Sequence, residues 1–135
     1  MQKIILSVVI FLLISASGCR NIIEDYSRCN RGDGEEIFIT YNYSMESRTL
    51  RLEYRGMLLN CCFSEITAAH KVEGKKIFIK VNQRFRKHRC RCVCPHRVTM
   101  SIPGLSKDKY IIHMPGVKLR INLQKQISGK KVFRR

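Results

Sequence analysis

Glu36-Ile37-Phe38-Ile39-Thr40-Tyr41-Asn42-Tyr43 sets the period on which the rest of the chain is read. Ile37, Ile39, Tyr41 and Tyr43 fall two residues apart in a segment dense in β-branched and aromatic side chains. Side chains of an extended strand alternate between faces, so these four share one apolar side. Ser44–Ser47 supplies a turn, and the period resumes over Arg48–Tyr54. There Leu50, Leu52 and Tyr54 lie on one side, and Arg51, Glu53 and Arg55 on the other. Two alternating runs separated by a short polar turn read as two strands.

Working outward, Gly56 is expected to open a loop into the double cysteine Cys61-Cys62. Ile66, Ala68, His70 and Val72 alternate more weakly, Glu73-Gly74 turns, and Lys76–Val81 alternates again, so residues 65–82 read as a hairpin. Residues 90–102 carry Cys90, Cys92 and Cys94, then Val98, Met100 and Ile102 in phase. Pro95 lacks an N–H and must sit at an edge, a bulge or a break. Beyond Pro103-Gly104 come a short strand, Tyr110–Met114, a turn at Pro115-Gly116, and Val117, Leu119, Ile121 and Leu123 in alternation. The tally is about seven strands with turn signals every 8–12 residues and no amphipathic helix, which specifies an all-β, single immunoglobulin-like β-sandwich. Its bounds are expected at residues 36–127, followed by a basic C-terminal tail, 128–135.

Residues 1–18 read as a signal peptide. Lys3 gives a positive start, and Ile4 to Ile14 is apolar apart from Ser7, too short to span a bilayer but suited to a signal core. Leu13-Ile14-Ser15-Ala16-Ser17-Gly18-Cys19 resembles the lipobox of bacterial lipoproteins. That resemblance implies lipidation of Cys19, a mature chain beginning there, a tether over residues 19–35 and a membrane partner engaged through acyl chains. Arg31-Gly32-Asp33 within that tether reads as a turn. The alternative is an ordinary signal peptide cut after Gly18, giving a secreted, basic, disulfide-rich binding protein. Parity favours the lipid. Of seven cysteines, acylation of Cys19 leaves Cys29, Cys61, Cys62, Cys90, Cys92 and Cys94, an even set for an oxidising compartment.

Residues 90, 92 and 94 would share one face of a strand, too far apart for relaxed bonds among themselves. A Cys61–Cys62 bond would be strained. Each triplet member is therefore expected to pair with one of Cys29, Cys61 and Cys62, which leaves six of fifteen schemes. A bend at the double cysteine is needed for both to reach the triplet. Cys29, in the tether, is the weakest member of the set. Zinc is the rival: five of these cysteines with His88 or His96 could supply ligands. Cys-x-Cys spacing departs from the Cys-x-x-Cys knuckles of zinc ribbons, and no cofactor is expected.

Asn60-Cys61-Cys62, Cys90-x-Cys92-x-Cys94 and Ile102-x-Gly104-Leu105…Tyr110-x-Ile112 resemble a group of small lipoproteins of Bacteroidetes-type bacteria. The likeness covers about residues 50–114. It implies a β-sandwich in the cell envelope, on the outer membrane, and says nothing about catalysis.

Charge is lopsided. Residues 19–73 hold 7 Lys/Arg and 9 Asp/Glu, whereas residues 74–135 hold 18 Lys/Arg and Asp108 alone. Arg84, Arg86, Lys87, Arg89 and Arg91 are the densest cluster and the candidate anion-binding residues. Such a field attracts lipopolysaccharide phosphates, acidic glycans or other polyanions. Nucleic-acid readers interleave aromatics with their cations, and here only Phe85 and Phe133 lie nearby, which argues against that partner. An enzyme is not expected. The chain has no Gly-rich phosphate loop, no Gly-x-Ser-x-Gly and no His-Glu-x-x-His, and His70, His88, His96 and His113 are scattered.

Overall fold

The computed structural model describes residues 20–29 and 36–134; the signal segment, Cys19 and residues 30–35 lie outside the described residues. Among these residues are nine strands: β1 Ile23–Tyr26, β2 Glu36–Ser44, β3 Thr49–Asn60, β4 Glu65–Glu73, β5 Lys76–Arg84, β6 Val93–Ile102, β7 Lys109–Met114, β8 Val117–Asn122 and β9 Ser128–Arg134. They form two packed sheets, ordered β1-β6-β3-β2-β9 and β4-β5-β7-β8. The all-β sandwich expected from the alternation is thus the observed architecture. All pairings are antiparallel except β5–β7, where Lys76, Ile77 and Phe78 run parallel to Ile111, Ile112 and His113.

The core is the apolar side read from the sequence. Ile39, Leu50, Leu52, Tyr54, Met100 and Ile102 from one sheet meet Ile66, Ile77, Ile112 and Leu119 from the other. Three tyrosines pin strands to turn carbonyls. Tyr43 Oη donates to Leu105 O at 2.7 Å, Tyr54 Oη to Pro115 O at 2.8 Å, and Tyr110 Oη to Ser106 O at 2.8 Å. The last is a tyrosine corner of the kind found in immunoglobulin-like sandwiches.

Three expectations need correction. The chain does not loop out at Gly56: β3 continues to Asn60, and the ladder shifts by one residue between Arg55 and Met57. Gly56 has φ 91°, a conformation that suits glycine, and forms a bulge there. Without the extra residue Met57 and Leu59 would face solvent; with it both are buried. Residues 19–35 are not simply a tether, because Ile22 is buried and β1 pairs with β6, completed by the Ser101 N–H donating to Ile22 O. Residues 128–134 are not a tail but an edge strand on β2, with Phe133 packed against the core. Its charged residues match the way natural sheets protect an edge. Pro95 lies at an edge, as its missing N–H requires: the Arg97 N–H, pointing the same way, leaves the ladder for Ser27 Oγ.

Candidate anion-binding sites

The six cysteines form three disulfides, Cys29–Cys94, Cys61–Cys92 and Cys62–Cys90, each joining one triplet member to one of the other three. Cys29 is a full member of the set. Only Cys94 lies within β6; Cys90 and Cys92 precede it, so the triplet is not a single strand face. The bend expected at Cys61-Cys62 is the turn directly after β3. Asn60 organises the stapled end. Its Oδ1 accepts from the N–H groups of Cys62 at 2.9 Å and Cys90 at 3.3 Å, and its Nδ2 donates to Cys90 O at 2.6 Å.

This frame holds the basic segment between β5 and β6. Arg86 and Lys87, with His88, border an open depression of about 490 Å³ beside Cys62, Phe63 and Ser64. The other predicted cations are not all assembled with them. Arg84 pairs with Glu65 at 3.4 Å, and the Arg89 guanidinium lies 5.2 Å from the centre of the Phe85 ring. Arg91 is exposed between the two stapled cysteines.

The sulfurs of Cys29, Cys61 and Cys94 lie within 4.8 Å of one another, the one such grouping among the described residues. Each is already bonded, and a metal needs thiolates, so the intact staples offer it no ligand. No histidine joins them. Buried His96 bonds Ser27 O through Nδ1 at 2.9 Å and packs on Phe63, while His113 stacks on Phe78.

A second basic region arises from strand pairing rather than from sequence runs. The outward face of the four-stranded sheet carries Lys76, Lys80, Lys118 and Arg120 around the Phe78–His113 stack and Ile111. Among the described residues, Lys80, Lys118 and Arg120 have no ion-pair partner.

At the β7–β8 side this face runs into a cleft of about 490 Å³. Lys75 reaches it from the β4–β5 turn, Lys109 from β7, Arg120 from β8, Lys125 from the β8–β9 connection and Lys131 from β9. Asp108 pairs with Lys75 at 3.3 Å. The Lys109 N–H, then Lys75, hold its carboxyl below the usual range. Tyr41 also lines the cleft. It is 6% exposed, its ring lies over Gly129, and burial pushes its hydroxyl above the ordinary phenol pKa. No residue spacing announces this cleft; only the register of β2 with β9 and of β7 with β8 assembles it.

The site and fold define a disulfide-stapled, basic β-sandwich. The chain matches no protein-family model, no curated protein and no solved structure.

Proposed function

We propose that this is a lipid-anchored protein of the bacterial cell envelope that binds anionic polymers, such as lipopolysaccharide or acidic glycans, and catalyses no reaction. The observation that carries this reading is the stapled basic loop. Two disulfides and Asn60 hold its backbone before any ligand arrives, which lowers the ordering cost of binding, and among the described residues Arg84 alone of its cations has an acidic ion-pair partner, Glu65. Three disulfides suit an exported chain. The lipobox-like Cys19 supplies the anchor, since two or three acyl chains hold a protein stably at a membrane.

The test has two arms. Binding to lipopolysaccharide or heparin should weaken steeply with added salt, and changing Arg84, Arg86, Lys87 and Arg89 together to glutamine should remove most of it. Unchanged binding would refute the loop's role. Metabolic labelling with a fatty-acid analogue should mark the wild type and not Cys19→Ala, which should leave the membrane. An unlabelled wild type in the soluble fraction would refute the anchor.

A further inference from the structure

We infer that the cleft between the β9 edge of one sheet and the β8 edge of the other is a binding site for a phosphorylated sugar. This inference concerns a different site from the basic loop and does not depend on the polymer-binding reading.

Three observations carry it. Lys75, Lys109, Arg120, Lys125 and Lys131 come from five separate elements to border one cleft, and among the described residues no acid lines it, Asp108 meeting Lys75 from outside. Gathering like charges costs free energy that a bound multivalent anion recovers. A volume of about 490 Å³ lies within the range of small-molecule sites. The third is Tyr41. More than nine-tenths buried, it has no hydrogen-bond partner for its hydroxyl among the described residues, and the ring is admitted because position 129 has no Cβ. Although the residue is buried its hydroxyl is not, since the buried polar atoms left without a partner among the described residues are His96 Nε2 and His113 Nε2; the hydroxyl opens to the cleft it lines, positioned to bond a ligand. Raised above its ordinary pKa, it stays protonated and able to donate.

The ligand's chemistry follows from the lining. Ammonium and guanidinium groups suit phosphate oxygens. Asn122 and Gln126 offer amides that both donate and accept, as sugar hydroxyls require, and Ile111 and Ile121 give aliphatic surface for the ring's C–H face. Cations at the border with amides, a phenol and aliphatic carbon between them fit a sugar carrying more than one phosphate better than a bare inorganic anion.

Isothermal titration of the mature protein with its disulfides intact tests this. The probes are glucose 1,6-bisphosphate, glucose, inorganic pyrophosphate, and phosphatidylcholine vesicles with and without lipid A, whose sugar headgroup is phosphorylated. Glucose 1,6-bisphosphate should bind saturably and more tightly than pyrophosphate, and glucose should not bind. Lys109→Ala with Lys131→Ala should weaken it at least tenfold. Tyr41→Phe, which removes only an oxygen without a partner, should leave the unfolding midpoint near the wild type but weaken binding about three- to tenfold. The variant with Arg84, Arg86, Lys87 and Arg89 replaced should bind glucose 1,6-bisphosphate as the wild type does. Binding of lipid A vesicles alone, lost in the lysine variant, would support the site and assign a membrane-borne headgroup as its source. Pyrophosphate bound as tightly as the sugar, indifference to Tyr41→Phe, or binding that survives the lysine changes would each overturn the inference.

Discussion

Cys61–Cys92 and Cys62–Cys90 are nested, and their contributions should not add. Alone, Cys61–Cys92 closes a loop with a sequence separation of 31, and Cys62–Cys90 one of 28. Either ring by itself removes about 3.6 kcal/mol of unfolded-chain entropy at 25 °C. Once one is closed, the other closes only a small ring through residues 61, 62 and 90–92, about five residues and about 2 kcal/mol by the same relation. Removing either pair as Cys→Ala should therefore cost about 2 kcal/mol, while removing both should cost about 5.5 rather than the additive 4. Asn60 reinforces the asymmetry, because its bonds to Cys62 and Cys90 keep the two segments in place when one staple is lost. Urea unfolding of wild type, the two paired variants and the fourfold variant measures the cycle, with the slope rising most in the fourfold variant as its unfolded chain expands. Paired variants that each lose 3.5 kcal/mol or more, with additive losses in the fourfold variant, would refute the nested-ring account.

Gly129→Ala would place a Cβ 2.8 Å from Tyr41 Oη and 2.9 Å from the ring, so it should cost about 1–3 kcal/mol in thermal unfolding, a cost relieved in a Tyr41→Val background. The Ser101 hydroxyl, then Arg51, hold the Glu24 carboxyl below its ordinary pKa against the effect of burial. A carboxyl depressed in the folded state contributes stability above its unfolded pKa and loses it as pH falls through the folded value, so the urea midpoints of wild type and Glu24→Gln should converge below pH 4.5. The gap at neutral pH should be no more than about 0.5 kcal/mol, because Glu24 is largely exposed. Asn60→Ala leaves Cys90 O and the N–H groups of Cys62 and Cys90 without their side-chain partner and should cost about 1–3 kcal/mol, with faster amide exchange at both residues. Asn60→Asp keeps the acceptor and should protect those two amides.

The strands that alternate cleanly were legible, because a period of two survives any tertiary arrangement. What escaped were features that depend on a partner strand. A bulge at Gly56 reads locally as a strand end, since the phase breaks there; only the ladder to β6 shows that Met57 and Leu59 have been returned to the core. β1 is four residues long, hydrogen-bonded along one edge to β6 with a register shift between Ile23 and Asp25, and its two acids are exposed, too brief for a pattern; Ile22, Ile23, Tyr26 and Cys29 were the available signal. β9 looks like a basic tail because Lys130, Lys131 and Arg134 dominate it, though Gly129 and Phe133 mark an inward side. The disulfide set was legible as three bonds that each leave the triplet, although the strand face expected for residues 90, 92 and 94 is absent and the pairing needed the turn at Cys61-Cys62. Arg84–Arg91 was visible as a run. Lys75, Lys109, Arg120, Lys125 and Lys131 were not, because their proximity is a property of the topology.

β5 connects the two basic regions. Its outward residues run Lys76, Phe78, Lys80, Asn82 and Arg84, from the β4–β5 turn whose Lys75 borders the cleft to the point where the stapled loop begins. Nine residues of strand span about 26 Å, far more than a sugar and beyond the Debye length of about 8 Å at physiological salt, so the two ends are electrostatically separate for a small ligand. A long polyanion meets a different situation. Lys76 and Lys80 lie between the ends, and a chain engaging both converts the second contact into an intramolecular one. Affinity for anionic oligosaccharides should therefore rise with length in a step, once the oligomer spans about 26 Å, rather than in proportion to charge. A Lys80→Glu variant should blunt that step while leaving sugar-phosphate binding at the cleft intact. A smooth rise with length, unaffected by Lys80→Glu, would mean that the two regions act separately.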